Sequence, residues 1–213
     1  MDLESSESRA PEPTTGTGRK RGRPLGCAIE IIETVVLTVL IFFVIQTFVA
    51  QPFQVRQRSM ERTFAEGDYV LVDRLSDLWS PYTRGQVVVF EPPPTWTSRA
   101  FPFIKRVIAV GGDTVEVRDD GSVAVNGVTI TEPYLFRNDA GDPEPTEAHG
   151  QTQWVVPDGN LFVMGDHRQE SADSRVFGPI PSSSVVGRAV LRYWPLSGFG
   201  AVVTPSYEDS PSP

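Results

Sequence analysis

The chain has 213 residues, with 19 Lys and Arg against 27 Asp and Glu, for a net charge of −8. That acidity sets it against nucleic-acid binders, whose affinity comes from neutralising phosphates with cations. The single cysteine, Cys27, excludes an internal disulfide, and with the two histidines, His149 and His167, remote from it, a Cys/His zinc site is not expected.

Residues 1–24 are rich in Ser, Thr, Glu, Gly and Pro and lack apolar periodicity. They read as a disordered tail, ending in the basic cluster Arg19-Lys20-Arg21-Gly22-Arg23. An anchor helix is expected over 25–50. Its apolar run from Thr34 to Ala50 is broken only by Thr38, Gln46 and Thr47. As a helix, residues 28–50 would span ~35 Å at ~1.5 Å per residue, enough to cross a bilayer core of ~30 Å. Glu30 and Glu33 fall in the first turns, where headgroups make charge less costly. The run is long for the apolar region of a cleaved secretory signal (~7–15 residues), and Phe48 is bulky where a small residue should precede Ala50. The anchor is therefore read as uncleaved. The basic cluster favours a cytoplasmic N-terminus, although Arg56, Arg58 and Arg62 on the far side weaken the asymmetry.

Residues 51–203 read as one β-rich domain. Asp68–Asp73 and Gln86–Phe90 have the composition of short strands. Thr114–Val117 and Val123–Val125 flank the turn Arg118–Ser122, and Asn126-Gly127 is a two-residue hairpin signal before Val128–Ile130. Residues 92–100 and 137–153, rich in Pro, Asp and Thr, read as loops. Trp154–Val156 and Leu161–Met164 add two strands around Pro157–Asn160. Many short strands with few helical patterns indicate an antiparallel sandwich or barrel-like domain. Residues 204–213 read as a mobile Ser/Pro/acidic tail.

Chemistry has few candidates. His167 adjoins Asp166, but sequence adjacency is not a triad, and His167 is read as a solvated turn residue. No acidic pair stands out. The remaining option is a serine activated by a neutral amine. The chain uses arginine almost throughout, and its lysines are Lys20 and Lys105. Lys105 sits in the apolar Phe103-Ile104-Lys105-Arg106-Val107-Ile108, a setting that favours loss of its proton.

Several motifs, in order along the chain, resemble bacterial type I signal peptidases. They are Ser59-Met60, Gly67–Leu75, Arg84–Phe90, Ile104–Asp113, Phe162–Pro179, Gly187-Arg188-Ala189 and Trp194-Pro195. The resemblance implies a mainly β fold: a single N-terminal transmembrane helix followed by a mostly antiparallel β catalytic domain outside the cytoplasm. It implies a membrane-anchored serine endopeptidase that cuts signal peptides from secreted preproteins after small residues at −1 and −3. In that reading Ser59 is the nucleophile and Lys105 the general base. Ser171 hydrogen-bonds the lysine amine, and Asp173 with Arg175 forms a supporting buried pair. The Ser59 backbone N–H and Gln57 serve the oxyanion, while Phe53, Val55, Phe103 and Ile104 line shallow apolar subsites. The implied partners are signal peptides and the lipid bilayer, with no nucleic acid, no metal and no organic cofactor, and the protein is expected to be a monomer.

The stretch Arg56-Gln57-Arg58-Ser59-Met60-Glu61-Arg62 departs from the family pattern. Arginine replaces proline at 56 and 62, Gln57 replaces a serine, and His167 stands where Asn is usual. Proline would restrict the loop, and a lost oxyanion donor costs roughly 100- to 1,000-fold. The expectation is slow cleavage, raised ~10-fold or more in kcat by the combination Arg56→Pro, Gln57→Ser and Arg62→Pro. The rival readings are an impaired relative that binds preproteins without cutting them and a Ser/Lys self-cleaving repressor relative. The anchor counts against the latter.

Overall fold

The computed structural model of the chain describes residues 24–44, 46, 50–76, 79–96 and 101–207, with side chains from Ala28 onward. Residues 1–23 of the expected N-terminal tail, with its basic cluster, and residues 208–213 of the C-terminal tail lie outside them, while Pro24 is helical. The chain divides into two units, residues 1–41 and 42–213.

Helix α1 runs Pro24–Val44. Its large apolar side chains from Ile29 to Val44 are each 47–63% exposed, so none of them is buried; Glu30, Glu33, Thr34 and Thr38 stand among them. Thr34 and Thr38 return their hydroxyls to the carbonyls four residues back, at 2.8 and 2.7 Å. Among the described residues, no helix is long and apolar enough to cross a membrane. The described side chains of α1 cover seventeen residues, a rise of about 26 Å. Of the anchor expected over 25–50, residues 45 and 47–49 lie outside the described residues, and Ala50 already belongs to a strand.

That strand is β1 (Ala50–Gln54). It is followed by β2 (Tyr69–Asp73), β3 (Val87–Phe90), β4 (Phe103–Val110), β5 (Thr114–Val117), β6 (Val123–Val125), β7 (Val128–Thr129), β8 (Gln153–Val155), β9 (Asn160–Met164), the one-turn helix α2 (Ser174–Phe177), β10 (Ile180–Pro181), β11 (Val185–Trp194) and β12 (Gly200–Ala201). The larger sheet has the order β1-β2-β11-β3-β4-β9-β10, with β12 pairing β11; the smaller has the order β7-β6-β5-β8. The pairings are antiparallel throughout.

Local chemistry explains the outline. Strand β3 is four consecutive buried apolar residues. Alternation sends Val87 and Val89 to a cluster with Val55, Met60, Phe64, Val70, Val72 and Ile104. It sends Val88 and Phe90 to another with Trp96, Phe103, Val107, Leu161, Val163 and Ile180. A strand packed on both faces reads as an unbroken apolar run. The smaller sheet, with Trp154 among its residues, closes over Ile108, Phe162 and Met164. Asn126 and Gly127 hold φ of 53° and 83°, the two positive values a type I′ hairpin turn needs.

Two expectations need correction. Strands β4 and β11 were not foreseen as strands. The chain is also packed beyond residue 203: Pro205 lies against Gly85, and the Tyr207 hydroxyl meets that of Tyr134. Residues 204–207 thus belong to the β unit rather than to a mobile tail.

Candidate active site

Ser59 is delivered by a 3-10 turn, Arg58–Met60, between β1 and β2. Met60 is fully buried in the apolar cluster and holds the turn down. The Glu61 N–H closes on the Arg58 carbonyl at 2.8 Å, and the Phe64 N–H on the Met60 carbonyl at 2.7 Å. The Ser59 carbonyl accepts from the His167 N–H at 3.0 Å. Gln57 precedes the turn, and its side chain makes no capping hydrogen bond. The leading N–H groups of such a turn, Ser59 among them, have no partner inside it.

Lys105 comes from the middle of β4, opposite Val88 in the register. Its Nζ donates to Ser59 Oγ at 2.5 Å, across 46 residues of sequence. Ser59 and Lys105 are 2% and 1% exposed. Burial depresses the Lys105 amine to about 8, and Arg175 pushes it the same way, while Asp173 and Asp166 pull it back up. An amine with that value is largely neutral in mildly alkaline water and has a lone pair to accept the Ser59 hydroxyl proton.

The support lies on the turn after β9. Asp173 is fully buried. It accepts from Ser171 Oγ at 2.7 Å, the Gly165 N–H at 3.0 Å, and Arg175 Nε and Nη2 at 2.9 and 3.0 Å. Burial alone would raise this carboxyl. The Arg175 hydrogen bonds and charge, with Ser171 and Gly165, more than reverse it, so its pKa lies below the ordinary value. Arg175 Nη2 also ties the carbonyls of Arg168 and Ser171 at 2.6 and 3.3 Å.

The structure brings Ser59, Lys105, Asp173 and Arg175 together but departs from expectation elsewhere. Ser171 gives its hydroxyl to Asp173, and among the described residues no hydrogen bond joins it to Lys105. Val55 and Ile104, expected to line a subsite, are sealed in the core at 0% and 2% exposure; Phe103 is buried too, and Phe53 half-buried. His167, read as solvated, is 5% exposed. Arg62 holds φ = 92°, which proline cannot adopt because its ring fixes φ near −65°. Arg62→Pro would therefore break this loop rather than restore it, and the expected gain from the triple substitution is withdrawn.

Sequence reasoning missed Gly165 and the Arg106–Asp166 pair. A Cβ at Gly165 would lie 2.5 Å from the Ser59 carbonyl oxygen and inside contact distance of Ser171 Oγ. Arg106, next to the lysine, makes a bidentate pair with Asp166 at 2.8 and 2.7 Å. Its guanidinium lies 4.0 Å from the centroid of the Tyr134 ring. Asp166 also accepts from Thr63 Oγ1 at 2.5 Å, linking β4, through Arg106, to the Ser59 loop. The adjacency Lys105-Arg106 in an apolar strand and Gly165-Asp166 after one were the available signals.

A family model described as signal peptidase, peptidase S26, matches residues 28–194. Signal peptidase I of Mycobacterium tuberculosis (strain CDC 1551 / Oshkosh) is 34% identical over 219 residues, spanning 81% of this chain and 74% of that protein. Signal peptidase I of Leptolyngbya laminosa is 33% identical over 214 residues, spanning 94% and 98%. A crystal structure of a signal peptidase I from Enterococcus faecalis V583 is 32% identical, covering 51% of this chain and 97% of that one at a TM-score of 0.39.

Proposed function

The chain belongs to the signal peptidase family, peptidase S26, and is a serine-type endopeptidase; from that premise we propose that it removes signal peptides with Ser59 as nucleophile and Lys105 as general base. The observation that carries this reading is the 2.5 Å contact between Lys105 Nζ and Ser59 Oγ, two buried groups from distant parts of the chain.

The neutral amine accepts the Oγ proton as Oγ bonds to the scissile carbonyl carbon. The Ser59 N–H, with the free Gln57 amide as the second donor, stabilises the oxyanion. Collapse breaks the C–N bond, and the Lys105 ammonium returns its proton to the leaving amine. Lys105 then deprotonates a water that attacks the acyl ester, and Oγ is released with a proton from the same amine. Asp173 and Arg175 hold the 165–175 turn, and Ser171 donates to Asp173 while packing at Gly165 beside the Ser59 carbonyl. Phe53, half-buried against the cluster of Val55 and Ile104, supplies the apolar surface that accepts small side chains at −1 and −3 and excludes large ones.

We also propose that α1 anchors the enzyme, with the N-terminus in the cytoplasm and the β unit outside it. Support comes from its large apolar side chains, all of them exposed; so much exposed apolar surface needs either protein or lipid to cover it. Anchoring keeps the site near a substrate that is itself membrane-bound and raises its effective concentration.

The test is incubation of the full chain in detergent with a synthetic signal peptide carrying an Ala-x-Ala site. A single cut after the second Ala, absent in Ser59→Ala, is expected. Peptide binding without any cut would move the protein to the non-cleaving reading.

A further inference from the structure

His167 lies beside the Ser59–Lys105 pair, yet the chemistry above does not use its ring. The ring stacks flat on Phe136, with centroids 3.9 Å apart and planes at 14°. Its edges face two carboxylates: Nδ1 lies 3.2 Å from Glu61 Oε2, and Nε2 lies 3.3 Å from Glu144 Oε2. Glu144 Oε2 is buried and has no hydrogen-bond partner. Glu61 stands two residues after Ser59, at the end of the 3-10 turn, and Arg58 reaches its Oε2 at 3.1 and 2.9 Å. Glu144 belongs to a segment held in place by its own N–H on the Phe136 carbonyl and by the Phe136 N–H on the Asp166 carbonyl, both at 3.0 Å.

A carboxylate accepts and cannot donate. Each ring nitrogen stands within 3.3 Å of a carboxylate oxygen, so the ring spans Glu61 and Glu144. An unpartnered buried carboxylate oxygen is costly, and the Nε2 edge is the polar group that faces it. The charged groups nearby are already engaged: Asp166 with Arg106, and Arg168 with Glu132. The ring is thus the link between the nucleophile turn and the Phe136–Glu144 segment, and its backbone N–H grips the Ser59 carbonyl from the same residue.

We propose that His167 is a positioning residue: bridged between Glu61 and Glu144, it fixes the end of the nucleophile turn while its N–H fixes the Ser59 carbonyl, so that Oγ stays in line with Lys105. This rests on Ser59 being the nucleophile. The ring touches no reacting atom. It acts on the open side of a turn that Met60 anchors in the core: Arg58 is exposed, and Gln57, just before the turn, is half-buried. A misplacement of ~1 Å in such a group costs on the order of 100-fold in rate.

The experiment measures kcat and KM on one synthetic signal peptide, across pH, for the full chain in detergent. The variants are His167→Asn, Glu144→Ala, the two combined, and Ser59→Ala. Asparagine keeps the backbone N–H but is too short to meet both carboxylates. Glu144→Ala removes the far support without touching the nucleophile turn, and it decides the matter if His167→Asn fails to fold. The expected result for His167→Asn is a fall in kcat of about 10- to 100-fold, with KM within about 2-fold and the pH limb unmoved. Glu144→Ala loses less, and the double variant is no worse than His167→Asn alone, since both break one link. Wild-type kcat in the His167 and Glu144 variants, even with a lower Tm, would overturn the proposal. So would a loss accompanied by a displaced pH limb, because the ring would then act on the charge of Lys105. Cleavage surviving in Ser59→Ala would remove the nucleophile assignment itself, a failure distinct from either.

Discussion

At position 165 the site has room for a hydrogen and nothing larger. Any side chain there would push on the Ser59 carbonyl and on Ser171 together. Gly165→Ala is therefore expected to lower kcat by roughly 100-fold or more, by displacing the nucleophile ~1 Å, with KM little changed. A steady-state comparison on one peptide checks this, and near-normal kcat would mean that the 165–171 turn yields easily. Arg62 presents the opposite case. Its φ of 92° is strained for a residue with a Cβ, at a cost of about 1–3 kcal/mol. Arg62→Gly relieves that strain but loses the 3.0 Å hydrogen bond from Nη1 to the Leu135 carbonyl, so stability and cleavage should stay near wild type. Arg62→Pro should lower both. Urea midpoints and kcat for the pair distinguish backbone strain from side-chain chemistry.

Among the elements, β4 and β11 organise the larger sheet, and both carry buried cations. Arg106 and Asp166 are 1% and 0% exposed as side chains. Removing one partner from such a pair leaves an uncompensated buried charge, so Arg106→Leu or Asp166→Ala should cost about 3–5 kcal/mol. Equilibrium urea unfolding would show it; a loss under 1 kcal/mol would mean that water reaches the orphaned group. The same cations explain why these strands were not legible in the sequence. Runs such as Val87–Phe90 announce themselves by apolar composition and Asn126-Gly127 by its turn chemistry. In β4 the apolar pattern is interrupted by Lys105 and Arg106. In β11 it is interrupted by Gly187, Arg188 and Arg192. Their partners are far away in sequence: Arg192 meets Asp68 and the Thr63 carbonyl, both at 3.2 Å, and Arg188 packs on Tyr82 with 4.8 Å to the ring centroid. The proposed pair, Ser59 and Lys105, could be named from a motif series. The burial of His167 could not, because Glu61, Phe136 and Glu144 reach it only through the fold.

The whole β unit bears on the proposed chemistry through the dryness of Lys105. Between about 8 in the folded chain and 10.5 for the free side chain, the unfolded protein holds a proton that the folded one lacks. Stability from this group therefore rises with pH across that window, and below about 8 the buried ammonium is a standing cost. Wild type should gain in urea midpoint between pH 7 and 9.5 relative to Lys105→Met, in which this contribution is absent; equal gains would show that Lys105 titrates normally. Above pH 10 the trend opposes, because buried Tyr134 and Tyr207 keep their protons longer than in the unfolded chain.

The central claim, that a neutral Lys105 activates Ser59, is tested most directly by the pH dependence of kcat/KM for the wild-type chain on one signal peptide, with chemistry rate-limiting. The amine must be neutral to accept the hydroxyl proton, so kcat/KM should rise about tenfold per pH unit on the acid side and level off above about 8. A flat profile from pH 6 to 9 would contradict it.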